Sequence, residues 1–138
     1  MIPKLSLLAV GGRKFGLHVE FIRQVLDFPM IFPLPQINSR FLGVLLFQDQ
    51  PVPVLNPGWI WPEINGHRGT PSLAVLLQGE MGDVGLPVDN ISHIVDIDRG
   101  SWMEAEIEGE NWAEKVFLFE ENRYPLLNMD ALLRHMAS

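Results

Sequence analysis

Two stretches of this chain occur twice, in the same order. Phe15 to Asp27 returns 69 positions later as Val84 to Asp96: Gly16, Leu17, Val19, Ile22 and Asp27 reappear as Gly85, Leu86, Val88, Ile91 and Asp96, and Glu20 is answered by Asp89. Val44 to Asn56 returns 72 positions later as Val116 to Asn128, with six of thirteen positions identical. Order, register and turn placement agree, so the chain reads as two copies of one small unit. Each copy has the pattern hairpin, short crossover, hairpin, and units this small and strand-rich commonly close into little barrels. The expectation is one domain over residues 1–138, made of half-units at about 5–61 and 72–128. The halves are expected to be two similar β-subdomains that share one core, with a groove between them.

The periodicity supports strands at most positions. Leu5 to Val10, the pair Gly11-Gly12, and Lys14 to Val19 read as a hairpin, because paired glycines accept the positive φ of a tight turn. Val44 to Phe47 and Val52 to Leu55 form a second hairpin around Gln48-Asp49-Gln50, ended by the turn residues Asn56-Pro57-Gly58. Further strands are predicted at Ser72 to Gln78, Val84 to Val88, Ile91 to Ile97, Val116 to Phe119 and Tyr124 to Leu127. The three-to-four spacing of Phe21, Ile22, Val25 and Leu26 predicts a short helix, closed off by Pro29, Pro33 and Pro35. Residues 62–71, rich in Pro, Gly and Asn, read as a linker. A terminal helix is predicted over 129–136, N-capped by Asn128 with Leu132 and Leu133 on its buried face.

Composition excludes several functions. With 138 residues, 47% of them hydrophobic, the chain is long enough for one cored domain. It has no cysteine, hence no disulfide, thiolate nucleophile or cysteine metal site. A net charge of −7 argues against nucleic acid as a partner, since phosphate binding needs clustered Lys and Arg. No apolar run approaches the ~20 residues of a membrane-spanning helix, and the N-terminus lacks a signal-peptide pattern, so a cytoplasmic protein without membrane insertion is expected.

The acidity is concentrated. Residues 80–121 hold twelve acidic and two basic groups, with Glu104, Glu106, Glu108, Glu110 and Glu114 crowding one segment that contains Gly109 and is marked by Trp102 and Trp112. This reads as a solvated loop, with a face for a cation or basic partner as the alternative; no calcium-loop pattern occurs. His18, His67, His93 and His135 lie 49, 26 and 42 residues apart, without metal-site spacing, so no metal is expected. Asp89, Ser92 and His93 supply triad residue types, but no G-x-S-x-G elbow accompanies them. No catalytic set converges, and no cofactor-binding loop is present. Trp59-Ile60-Trp61 reads as a lid over one barrel mouth in preference to an exposed contact.

An ordered set of motifs then resembles a known family. Phe15-Gly16-Leu17-His18-Val19 with Val25-Leu26, Pro33-Leu34-Pro35, Phe41-Leu42-Gly43-Val44 leading to Pro53-Val54, and Val84-Gly85-Leu86-Pro87-Val88-Asp89 with Ile94 are similar to the CheW-like domain of bacterial chemotaxis coupling proteins. The resemblance spans about Leu5 to Leu133. It implies a mainly β fold of two small five-stranded barrels around a shared hydrophobic core, with short helices including a C-terminal one. It also implies a noncatalytic cytoplasmic adaptor, recruited to membrane-associated receptor arrays, that couples the cytoplasmic tips of chemoreceptors to the regulatory domain of a CheA-type histidine kinase.

Carried over residue by residue, the family pattern implies partner-binding roles for Ile22, Gln24, Gly43, Val44 and Gln48. The chain departs from that pattern at three places. Leu46-Phe47-Gln48-Asp49 stands where the family usually reads N-L-R-G, and Gln24 where a glutamate often pairs with that arginine. Asn56-Pro57 stands where D-L is usual. Two glutamines thus replace an ion pair without leaving a charge unpaired, and the two amides are expected to face each other or share a neighbour. Two other readings stand beside this one: a small acidic β-domain that binds a small molecule or cation through the acidic stretch and His93, and a CheW-like module of a non-chemotaxis pathway.

Overall fold

Short alternating segments punctuated by tight turns make the chain strand-rich. The computed structural model describes residues 2–35, 39–64, 71–79, 82–104 and 113–136. Most of the expected linker, His67, Glu106, Glu108, Gly109, Glu110 and Trp112 lie outside the described residues, as do the side chains of Glu114 and His135. The strands are β1 (Lys4–Val10), β2 (Arg13–His18), β3 (Ile22–Asp27), β4 (Phe41–Phe47), β5 (Gln50–Leu55), β6 (Leu73–Gly79), β7 (Gly82–Val88), β8 (Asn90–Asp96), β9 (Ser101–Glu104), β10 (Ala113–Phe119) and β11 (Asn122–Leu127). Two short helices, α1 (Pro57–Ile60) and α2 (Met129–Met136), follow β5 and β11.

The strands form a six-stranded sheet, ordered β8-β1-β2-β11-β10-β9, and a five-stranded sheet, ordered β3-β6-β7-β5-β4. Substituting each strand by its sequence repeat turns the first five members of one order into the other. β1 and β2 match β6 and β7, β8 matches β3, and β10 and β11 match β4 and β5. The registers agree as well. Leu126 lies opposite Gly16 in the parallel contact of β11 with β2, and Val54 lies opposite Gly85 in the parallel contact of β5 with β7. Gly16 and Gly85 therefore occupy equivalent sites, as do their neighbours' prolines Pro125 and Pro53.

Each sheet draws strands from both repeats. Residues Met1–Phe21 with Ile91–Ser138 form one compact unit and Ile22–Asn90 the other. The chain thus leaves the first unit after Phe21 and returns after Asn90, a separation of 69 residues that equals the offset of the repeat. The sixth strand has a counterpart too. β9 pairs with β10 at Met103 and Val116, and in the other unit the isolated bridge of Phe32 to Val44 stands in the same place.

The cores obey the same correspondence. In the first unit Leu5, Leu7, Phe117 and Tyr124 are buried together, with Val95, Phe119 and Leu126 packed against them. In the second, Ala74, Leu76, Leu45 and Val52 occupy the matching positions, with Leu26, Phe47 and Val54 alongside. Apolar burial is worth about 25 cal/mol per Å², so each repeat keeps the positions that stabilise its unit while exchanging volumes, as in Phe117 against Leu45 and Tyr124 against Val52. The helix ends match as well: the Asn56 side-chain oxygen accepts from the Gly58 N–H at 2.9 Å and that of Asn128 from the Ala131 N–H at 3.1 Å.

Three elements differ from the sequence expectation. Phe21 to Leu26 is not a helix: Val19–Phe21 forms a single 3-10 turn and Ile22–Asp27 is the edge strand β3, with Val25 opposite Val75. Apolar residues at i, i+1, i+4 and i+5 fit both periods over six residues, and pairing with β6 decides between them. β9 forms inside the segment read as a solvated loop, anchored where Trp102 meets the Phe117 ring edge-on at 5.0 Å. Asn56-Pro57-Gly58 opens α1 instead of a bare turn, because Asn at the N-cap and Pro at the first helical position suit a helix start.

The exchange of strands predicts the behaviour of a nicked chain. Cleaving full-length protein at a protease site inserted between Ile64 and Pro71 leaves each sheet with strands from both fragments, so the fragments should co-elute under native conditions and keep the β-sheet circular dichroism. Separation of the two fragments without denaturant contradicts this strand order.

Candidate partner-binding surface

All five residues singled out by the family pattern fall in the unit formed by Ile22–Asn90. Ile22 opens β3 half-buried, and Gln24 is exposed on the same edge strand. Gly43 and Val44 lie in β4, the strand at the other end of the sheet order. Gln48 is exposed in the β4–β5 turn. Two edge strands and one turn thus carry the set.

Gly43 is buried, and its role follows from what crosses it. The segment around Phe32 lies across β4: the Phe32 N–H donates to the Val44 carbonyl at 2.7 Å and the Val44 N–H to the Phe32 carbonyl at 2.9 Å. A Cβ on Gly43 would overlap the Phe32 carbonyl and come within 3.0 Å of the Pro33 Cα. Gly43 also sits beside the bulge of β4 against β5. Glycine is required there so that a second backbone can approach closely. Any side chain at Gly43 meets backbone, so the close approach of the Phe32 segment to β4 itself requires glycine there.

Gln48 and Asp49 adopt φ of +51° and +63°, and their repeat counterparts Glu120 and Glu121 adopt +48° and +65°. Two successive positive φ values make a type I′ turn, whose twist matches a hairpin and which ordinarily takes Asn-Gly. Side chains other than glycine are strained in that region by about 1–2 kcal/mol each. Both halves keep the turn without glycine, so its geometry is imposed by the strands.

The counterparts of Gln24 and Gln48 in the other unit are His93 and Glu120, whose Nε2 and Oε2 lie 3.9 Å apart with both side chains largely exposed. His93 also meets Phe119 edge-on at 5.3 Å. Among the described residues, no hydrogen bond joins the Gln24 and Gln48 amides to each other. The described arginines of this unit are engaged elsewhere: Arg23 Nε pairs with Asp83 at 2.8 Å, and the Arg40 guanidinium lies 5.8 Å from the Trp59 ring centre. Ile60 and Trp61 are buried and Trp59 half-buried, so this trio is mainly core.

Sequence reasoning missed the apolar exposure next to these positions. Phe28, Met30, Phe32, Leu34, Leu42 and Leu46 are all exposed large hydrophobics, with Phe28 at 77%. The signal was present in the string Phe28-Pro29-Met30-Ile31-Phe32-Pro33-Leu34-Pro35, which is too apolar for an ordinary surface connection. Among the described residues no group of three or more His, Asp or Glu could hold a metal ion, and no helix is long and apolar enough to cross a membrane.

Two sheets related by an internal repeat with exchanged strands define a class of duplicated, mainly β domains. The profile of the CheW-like domain matches residues 4–137, and the chain belongs to that noncatalytic family. The crystal structure of the scaffolding protein TtCheW from Thermoanaerobacter tengcongensis shares the fold, with a TM-score of 0.79, 13% sequence identity, and coverage of 94% of this chain and 86% of that one. Comparison with curated protein sequences returns no match.

Two substitutions test this surface. Asp49→Gly should relieve the left-handed backbone and raise stability by about 1 kcal/mol, seen as a higher urea midpoint; an unchanged or lower midpoint argues against strain at the turn. Gly43→Ala should cost about 2 kcal/mol or more, because the added methyl meets backbone that cannot rotate away. Wild-type stability for that variant would remove Gly43 from its supporting role.

Proposed function

We propose that this chain is a cytoplasmic, noncatalytic adaptor that couples the cytoplasmic tips of chemoreceptors to the regulatory domain of a CheA-type histidine kinase. The observation that carries the reading is the grouping of Ile22, Gln24, Val44 and Gln48 in one unit, on the two strands that end its sheet order and the turn between β4 and β5, with Gly43 buried in β4 against the Phe32 backbone. Membership of a scaffolding family supports the coupling role, and the residues of the set are suited to binding. Val44 and Ile22 offer half-buried apolar contact, while the exposed Gln24 and Gln48 offer amides that donate and accept hydrogen bonds without a charge to desolvate.

Replacing an ion pair by two glutamines changes how a partner is read. Neutral hydrogen bonds contribute about 0.5–1.5 kcal/mol, against about 1.5–3 for charged ones, so this surface relies more on apolar contact and less on charge steering.

Full-length protein used as bait in the cytoplasm of its own host should recover both a receptor and a CheA-type kinase. Gln24→Lys should weaken kinase recovery roughly tenfold, or ~1.4 kcal/mol, without lowering the melting temperature. Recovery of neither partner by the wild-type chain overturns the adaptor reading.

A further inference from the structure

Strand β3, at the end of the five-stranded order, carries a β-bulge at Arg23. Ile22 lies opposite Leu77 of β6 and Gln24 opposite Leu76, so two steps along β3 answer one step along β6, and Arg23 is the extra residue. Consecutive residues of a strand point to opposite faces, so Leu77 and Leu76 do, and Ile22 and Gln24 follow them. Without the bulge, residues two apart would share a face. The bulge therefore decides how two of the candidate partner-binding residues are presented.

One ion pair depends on where that bulge sits. Arg23 Nε lies 2.8 Å from an Asp83 carboxylate oxygen, and because β6 stands between β3 and β7 the side chain reaches across a whole strand. Asp83 is opposite Gln78, which shares a face with Leu76. A regular strand with Gln24 still opposite Leu76 would set Arg23 opposite Leu77, on the face away from Asp83, and would carry Ile22 over to the face of Gln24. Bulge and ion pair thus require each other. The duplication shows that the shared architecture does not demand this pair, since Ser92 and Lys14 take the matching positions in the other unit. There the Ser92 hydroxyl donates to the Leu7 carbonyl at 3.2 Å, and Lys14 Nζ donates to Asn122 Oδ1 at 2.8 Å. Ser92 is tied to the strand next to its own, whereas Arg23 is tied to the strand beyond.

We propose that Arg23 and Asp83 are a positioning pair for partner binding: their ion pair holds the β3 bulge at Arg23, and so presents Ile22 on one face of the strand and Gln24 on the other to the regulatory domain of the kinase. The proposal deepens the adaptor reading and rests on it for the identity of the partner. Neither Arg23 nor Asp83 belongs to the set that the family pattern marks. A strand at the end of a sheet order is hydrogen-bonded within the sheet on one side only, so its register is held by one ladder. Among the described residues, no hydrogen bond between the Gln24 and Gln48 amides adds a second tie. An ion pair whose arginine is half exposed contributes little to global stability. Its effect is local: the slip it opposes is a single residue, and that slip changes the face of Ile22 relative to Gln24.

The test uses the full-length chain and the regulatory domain of the CheA-type kinase of its own host. Nuclear magnetic resonance contacts between the Ile22 and Leu77 backbones report the bulge. In Arg23→Gln and in Asp83→Asn these contacts should weaken and contacts of Ile22 with Gln78 should appear. Each variant should bind the kinase domain roughly threefold more weakly, measured well below its melting temperature. The double variant should bind no more weakly than either single one, and exchanging the charges, Arg23→Asp with Asp83→Arg, should restore both the contacts and the affinity. Unchanged Ile22–Leu77 contacts in both single variants overturn the proposal, as do additive losses in the double variant. A lowered melting temperature with wild-type affinity also overturns it, because the pair then serves the fold alone. If the wild-type chain binds the kinase domain and the single variants bind equally tightly, this inference falls and the adaptor reading stands. If the wild-type chain binds neither kinase nor receptor while the contacts respond as expected, the adaptor reading falls and the hold of the pair on the bulge stands.

Discussion

Two parallel strand contacts hold the hairpins of this protein together. In one sheet the β1–β2 hairpin meets the β10–β11 hairpin only where β2 runs beside β11, and in the other the β6–β7 hairpin meets the β4–β5 hairpin only where β7 runs beside β5. Each contact centres on a glycine, with Gly16 opposite Leu126 and Gly85 opposite Val54. A Cβ at Gly16 would lie 3.6 Å from Leu126 Cδ1, and one at Gly85 would lie 3.4 Å from Leu45 Cδ2. A methyl at either glycine would sit in ordinary van der Waals contact with core side chains that cover the junction, and the two cores build outward from it.

This arrangement separates what the fold demands from what it tolerates. Positions in the two cores match across the repeat, and so do the helix caps Asn56 and Asn128 and the left-handed turns at Gln48-Asp49 and Glu120-Glu121. Several outward-facing positions do not match: Gln24 answers His93, Pro51 answers Arg123, and the strained, exposed Phe28 answers the half-buried Ile97. Selection for packing keeps the first group alike because each lost methylene costs about 0.8 kcal/mol. Solvent-facing positions carry no such penalty, so the halves are free to diverge there.

Much of the fold was legible because repetition amplifies weak local signals. Short strands are ambiguous one at a time, but Gly16-Leu17 recurring as Gly85-Leu86, followed in each half by a hairpin with Pro53 or Pro125, places them in register without structural data. The candidate site was legible only through the resemblance to CheW-like domains, since nothing in the spacing of Ile22, Gln24 and Gly43 announces a surface. The helix expected over Phe21 to Leu26 failed where the repeat itself held the answer: its counterpart Ile91 to Val95 reads as a strand, and both are strands. β9 escaped notice because it runs into the glutamate-rich segment that suggests a solvated loop, while its pairing with β10 uses backbone groups that composition does not reveal.

The sequence by itself determined the duplication, the hairpin registers, the cap of the C-terminal helix and the family, because each is written in local chemistry: a glycine pair at a turn, an asparagine before a helix, an apolar alternation that returns 69 or 72 residues later. Tertiary structure decided which hairpin pairs with which. Each sheet takes strands from both repeats, and no local propensity encodes a partner strand contributed from the other half of the chain. It also decided that Gly43 lies buried beneath Phe32 and that Phe28 and Leu46 face outward. Burial depends on what else arrives at a residue, and in this chain what arrives comes from segments distant in sequence.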